Sequence, residues 1–189
     1  MAVNSSPLAP HWPEALLARA KRIRLIALDV DGIMSDGRLY FSASGDELKA
    51  FNILDGLGLK QLMAAGITVA VITGRQSPLT EKRMGDLGIP HLMQGREDKK
   101  VALEELISKM DISPEVIAYM GDDLPDLPAI RFAGLGITVP NAYWLVQEHA
   151  DYCTQAAGGH GAVREACDLL LTAQGKLEEA LTRYLEPDA

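Results

Sequence analysis

Three short clusters of polar residues each stand at the end of an apolar run. Asp29 and Asp31 close the run Ile23, Leu25, Ile26, Ala27, Leu28 in "IRLIALDVDG". Thr73, Gly74 and Arg75 close "ITVAVI", and Asp122 and Asp123 close "VIAYMG", with Asp126 shortly after. A lysine pair, Lys99 and Lys100, opens the amphipathic stretch that precedes the last of these runs. A compact apolar run that ends abruptly in acid and glycine reads as a parallel strand covered on both faces. Parallel strands end at one edge of their sheet, and open α/β sheets bind ligands beyond that edge. Carboxylates, a hydroxyl and an ammonium from distant parts of the chain would therefore meet. Such oxygen donors suit magnesium, a hard cation that usually keeps several waters.

The elements that must position these groups follow from the pattern between them. Pro13 to Ala20 is expected to form a short helix, with Pro13 suited to its first turn. From Arg38 to Ile53, "RLYFS" and "ELKAFNI" flank the turn signal "ASGD" and predict a β-hairpin projecting from the core. Helices are expected over "DGLGLKQLMAAG", stopped by Gly66, and over Pro78 to Asp86. "IPHLM" and "LGITV" read as further strands. "EDKKVALEELISKM" spaces Val101, Leu103, Leu106, Ile107 and Met110 along one helical face. A long final helix is expected from Gly161 through Leu171 and on toward Tyr184. This alternation predicts an α/β fold, a Rossmann-like, mostly parallel sheet with helices on both faces and no large cap domain. Residues 21–185 would form one domain that includes the hairpin 38–53, preceded by a leader and short helix over 1–20.

Composition narrows the class. The 189 residues are 48% hydrophobic and 23% charged, which excludes a disordered or fibrous chain. A formal net charge of −8 argues against a nucleic-acid partner, because phosphate backbones attract basic faces. The basic run Arg19, Lys21, Arg22, Arg24 is short enough to be a solvated helix end. No apolar run reaches the length of a membrane span, and the opening residues lack the basic and apolar regions of a signal peptide. Cys153 and Cys167 form neither a zinc pattern nor a disulfide framework, and read as free thiols in a reducing cytoplasm.

"DVDG" at Asp29, "TGR" at Thr73, Lys99 and "GDDLPD" at Gly121 resemble, in order, the four motifs of the haloacid dehalogenase-like phosphatases. "DxDG" alone occurs by chance, but four motifs in order at the expected strand ends are specific. "SDGRLYFSASGDELKAFNILDGLGLK" and "AGGHGAVREACDLLLTAQGKLEEA" are similar to one branch, the 3-deoxy-D-manno-octulosonate 8-phosphate phosphatases, over roughly Arg22 to Ala180. That resemblance implies a magnesium-dependent phosphatase of a small acidic sugar phosphate, acting in lipopolysaccharide precursor synthesis. It implies Asp29 as nucleophile and metal ligand. Asp31 would be the general acid and base, its backbone carbonyl also on the metal. Thr73 and Lys99 would hold the phosphoryl oxygens, and Asp122 would be the third metal anchor. Asp123 and Asp126 would ligate through water or orient their neighbours.

Gly74, Arg75 and His160 are the candidate substrate contacts. The family usually carries arginine where this chain has His160, and Gly158, Gly159 and Gly161 around it predict a tight backbone passage near the site. About 40 residues separate Asp31 from Thr73 and about 25 separate Thr73 from Lys99, too few for a large cap. Something else must then close the site. The hairpin, with Leu39, Tyr40, Phe41 and Phe51 expected at its surface, is the candidate, and the family's small cap-less members imply a homotetramer built through it. The alternatives are a phosphatase for a sialic-acid-like nine-carbon 9-phosphate and a non-enzymatic sugar-acid binding subunit.

Overall fold

Leu25, Ile26, Ala27 and Leu28 form strand β1, and all four side chains are buried. A strand buried on both faces needs cover on both, and the rest of the chain supplies it. The computed structural model describes residues 10–185. Helix α1 (Glu14–Ala20) leads into β1, and a hairpin of β2 (Tyr40–Phe41) and β3 (Glu47–Leu48) follows. Then come α2 (Ile53–Ala64), β4 (Thr68–Ile72), α3 (Pro78–Leu87), β5 (His91–Met93), α4 (Lys99–Met110) and β6 (Ile117–Met120). The chain continues through α5 (Leu127–Phe132), β7 (Leu135–Thr138), α6 (Trp144–His149), β8 (Tyr152–Cys153), α7 (Ala162–Ala173) and α8 (Leu177–Leu185).

Six strands form one sheet in the order β5-β4-β1-β6-β7-β8, every pair parallel. From β1 the chain builds outward through β4 to β5, then crosses back to place β6 on the other side of β1. The order reverses between β1 and β6, which opens a crevice at their carboxyl ends. Leu28 pairs with Met120, so the two strands finish level and Asp29 and Asp122 emerge side by side. Helix α2 packs on α7 and α7 on α1, while α4 packs on α5. Trp12, ahead of α1, is held by a hydrogen-bonded chain: its indole N–H donates to Tyr152 Oη at 2.9 Å, and Tyr152 donates to Glu165 Oε1 at 2.5 Å.

Three particulars differ from the sequence reading. The expected long final helix is two helices. Gly175 turns left-handed at φ 68°, and Lys176 N–H donates back to Leu171 O at 2.8 Å, which ends α7 before α8 begins. The hairpin is present, but its ladder is short, pairing Tyr40 with Leu48 and Phe41 with Glu47. Phe51 is not at its surface. It is half-buried against the core, with the Arg83 guanidinium 6.0 Å from its ring centre. Strand β8 and helices α5 and α6 were not anticipated; β8 is two residues long and α5 and α6 are six each. The expected leader falls largely outside the described residues.

Candidate active site

At the end of β1 Asp29 is 6% exposed. Its Oδ2 lies 2.7 Å from Lys99 Nζ, which opens α4 and is itself buried. The same ammonium donates to Asp126 Oδ1 at 2.7 Å, where the Tyr119 hydroxyl also donates at 2.8 Å. The other Asp126 oxygen accepts the backbone N–H groups of Asp122 and Asp123 at 3.1 and 3.2 Å. Asp126 therefore spends both oxygens on four donors and orients its neighbours. Asp123 caps the short turn after β6 by accepting Leu124 N–H at 2.8 Å.

One ammonium faces three carboxylates, and the balance shows in their acidities. Burial pushes the Asp29 carboxyl up to about 7, with the Asp126 charge adding and Lys99 opposing. Burial and the charges of Asp126 and Asp29 push Asp122 to about 7 as well. Burial alone would lower the Lys99 ammonium, but Asp29 and Asp126 outweigh it and hold it above the usual lysine range. Tyr119 is raised well above its ordinary value by burial and by the same acids, so it stays a donor. The site thus holds more negative charge than its lysine balances. Ligand atoms of Asp29, Asp122 and Asp126 lie within 4.8 Å of one another. Asp122 Oδ1 is buried and accepts no hydrogen bond among the described residues. Surplus carboxylate charge and an unpartnered oxygen fit a divalent cation held by Asp29 and Asp122.

Beyond Asp29 the backbone turns sharply at Gly32, φ 89°, where any Cβ would overlap the Asp122 carboxylate. Gly158, at the entry to α7, lies against the Gly32 carbonyl so closely that a Cβ there would overlap it too. This is the tight glycine passage expected from the sequence. Beyond the strand ends is a cavity of ≈ 320 Å³. Asp29, Asp31, Thr73, Gly74, Arg75, Lys99 and Asp122 all line it. His160 does not: it is exposed, and its Nδ1 sits 2.8 Å from the Gly158 carbonyl oxygen.

Two contacts to this cavity were missed in the sequence. Lys49 Nζ lies 2.6 Å from Asp31 Oδ1 with its side chain only 3% exposed, and Glu47 Oε1 accepts from Arg75 at 2.9 Å. Both come from the second hairpin arm, on either side of the exposed Leu48. The period-two alternation of that arm was the available signal, since it turns Glu47 and Lys49 to one face. Tyr119 carried no signal; it is one of four buried residues of β6.

Residues 86–165 match the haloacid dehalogenase-like hydrolase family. The chain is 49% identical over 180 residues to the 3-deoxy-D-manno-octulosonate 8-phosphate phosphatase KdsC of Salmonella typhimurium, covering 95% of this chain and 94% of that protein. The crystal structure of the 3-deoxy-D-manno-octulosonate 8-phosphate phosphatase from Moraxella catarrhalis, in complex with magnesium, phosphate and KDO, superposes with a TM-score of 0.90 at 46% identity. It covers 92% of this chain and 99% of that one. The cobalt-bound deoxy-D-mannose-octulosonate 8-phosphate phosphatase of Haemophilus influenzae gives 0.81 at 40% identity, covering 84% and 93%. With identity of this order running nearly end to end through both chains, the protein belongs to the 3-deoxy-D-manno-octulosonate 8-phosphate phosphatases, within the haloacid dehalogenase-like hydrolases.

Proposed function

We propose that this protein hydrolyses 3-deoxy-D-manno-octulosonate 8-phosphate through an aspartyl-phosphate formed on Asp29. The observation that carries this reading is the pairing of Asp29 with Lys99 at 2.7 Å in the crevice between β1 and β6, with Asp31 lining the same cavity. A relative whose structure holds magnesium, phosphate and KDO supports the substrate. Asp29 attacks phosphorus, and the bond to the sugar oxygen breaks as Asp31 gives that oxygen a proton. Asp31, now a carboxylate, takes a proton from a water that attacks the same phosphorus. The bond to Asp29 then breaks, releasing phosphate and restoring the carboxylate. Lys99 and Thr73 bear the phosphoryl oxygens while negative charge is shared among them. Arg75 and Gly74 border the cavity where the sugar acid would lie, while His160 stands outside that lining on the loop before α7.

Asp29, Asp122 and the backbone carbonyl of Asp31 would hold magnesium, which supplies charge neutralisation between the nucleophile and the phosphoryl group. The protein works as a homotetramer. Leu39, Phe41 and Leu48 stand 49%, 62% and 62% exposed on a hairpin whose ladder is two residues long on each arm. Packing against a second copy would cover them and help to close the cavity. Cys153 and Cys167 are both free, which fits a cytoplasmic enzyme. Among the described residues no helix is long and apolar enough to cross a membrane.

The test is phosphate release from purified protein with this octulosonate 8-phosphate and with a nine-carbon sugar-acid 9-phosphate, each with magnesium and with chelator. Turnover of the first substrate is expected, abolished by chelation and restored by magnesium. Asp29→Asn, folded as judged by circular dichroism, is expected to lose essentially all of it. Turnover in that variant, or in metal-free protein, would reject the mechanism.

A further inference from the structure

Asp31 presents its two oxygens to different surroundings. Oδ1 accepts from Lys49 Nζ at 2.6 Å and from Ser35 Oγ at 3.5 Å. Oδ2 is buried and accepts no hydrogen bond among the described residues, and Arg75 Nε stands 3.9 Å from it. Arg75 is in turn drawn aside by Glu47, whose Oε1 takes its other nitrogen at 2.9 Å. The lysine responsible is unusual for its place. It lies just beyond the short arm β3, next to an exposed leucine, yet its side chain is 3% exposed. A buried ammonium is costly unless paired and hydrogen-bonded, and this one is paired with Asp31.

We infer that Lys49 is a positioning residue for Asp31: by occupying Oδ1 it fixes the rotation of the carboxylate and leaves Oδ2 as the oxygen that exchanges protons with the sugar and with water. This rests on the reading of Asp31 as general acid and base. It also gives the hairpin a second task. Glu47 and Lys49 point inward from the arm whose Leu48 points outward. Seating of the hairpin therefore sets the aim of Asp31 and the position of Arg75 together.

The experiment compares wild type with Lys49→Met and Lys49→Arg, using the sugar phosphate and p-nitrophenyl phosphate. General acid–base catalysis contributes about 10²–10⁴-fold, so a mis-aimed carboxylate in Lys49→Met is expected to lower kcat on the sugar phosphate by about 10- to 100-fold. KM should change by less than about threefold, because the lysine acts through Asp31 and not on substrate. Lys49→Arg, which keeps a cation at Oδ1, is expected to recover most of the loss. With p-nitrophenyl phosphate the leaving group departs without a proton. Lys49→Met should then release a burst of one p-nitrophenolate per active site before a slow steady state, since only hydrolysis of the acyl phosphate needs the aimed carboxylate. Unchanged kcat in a folded Lys49→Met would overturn the inference. So would a loss confined to KM, or one that arginine does not relieve. Turnover in Asp29→Asn would instead bring down the phosphoenzyme reading itself, so the two failures are distinguishable.

Discussion

Four donors converge on the two oxygens of Asp126, a residue 0% exposed. An amide at this position offers one acceptor oxygen, and its NH2 would face donors on the other side. Asp126→Asn is therefore expected to strand Lys99 and Tyr119 or the Asp122 and Asp123 amides. Removing one partner of a buried charge pair costs about 3–5 kcal/mol, and a loss of that order should appear as a lower urea midpoint. Turnover should fall as well, although Asp126 touches no reacting atom, because Lys99 and Asp122 lose their orientation. Equal urea midpoints in variant and wild type would count against this account. The ring of acids was legible in the sequence, because each member stands at a strand end and parallel strands bring such ends together. The division of labour was not. Asp122, Asp123 and Asp126 are alike as letters, and only the positions of Lys99, Tyr119 and two backbone amides make Asp126 an orienting group. Lys49 was hidden for a related reason. A lysine two residues from a glutamate on a polar arm reads as solvated until the folded arm turns it inward.

A buried acid lies in the contact between helices α2 and α7. Asp55, 1% exposed on α2, accepts the backbone N–H of Arg164 at 2.8 Å in the first turn of α7. A carboxylate there complements the unsatisfied amides of a helix start. Burial nevertheless holds its carboxyl at about 6, against the N–H bonds and the charges of Arg83 and His160 that pull it down. The folded chain binds this proton more tightly than the unfolded chain, whose carboxyl titrates near 3.8. The contribution is fully present below that lower value and is lost as pH rises through about 6. Two units correspond to roughly 3 kcal/mol at most. Urea unfolding of wild type and Asp55→Asn at pH 4 and pH 7 should show the wild type losing stability over that interval relative to the variant. Parallel behaviour would refute it. The sheet itself was readable, since β1, β4 and β6 are continuous apolar runs that no surface helix could present. The strand β8 was not, because two residues carry no periodicity. The break at Gly175 leaves no mark in the apolar pattern, because apolar residues resume in phase on its far side.

Across the whole molecule, the open cavity and the exposed hairpin make one prediction. Phe41→Ser combined with Leu48→Ser removes the two most exposed apolar residues of the hairpin without touching Lys49 or Glu47. Light scattering coupled to size exclusion is expected to show a tetramer for wild type and smaller species for the double variant, with activity reduced in step. A monomeric wild type of full activity at assay concentration would overturn the assembly. Phe51, which the sequence grouped with these residues, packs against the core and would report stability instead. The chain also carries two tryptophans in contrasting settings. Trp12 is half-buried and bonded to Tyr152 on the edge strand, whereas Trp144 is 57% exposed. Iodide should quench the emission of Trp144 first, leaving a bluer fluorescence from Trp12. That residual light is a built-in gauge of whether the segment ahead of α1 stays clasped to β8, readable in unlabelled protein while substrate turns over.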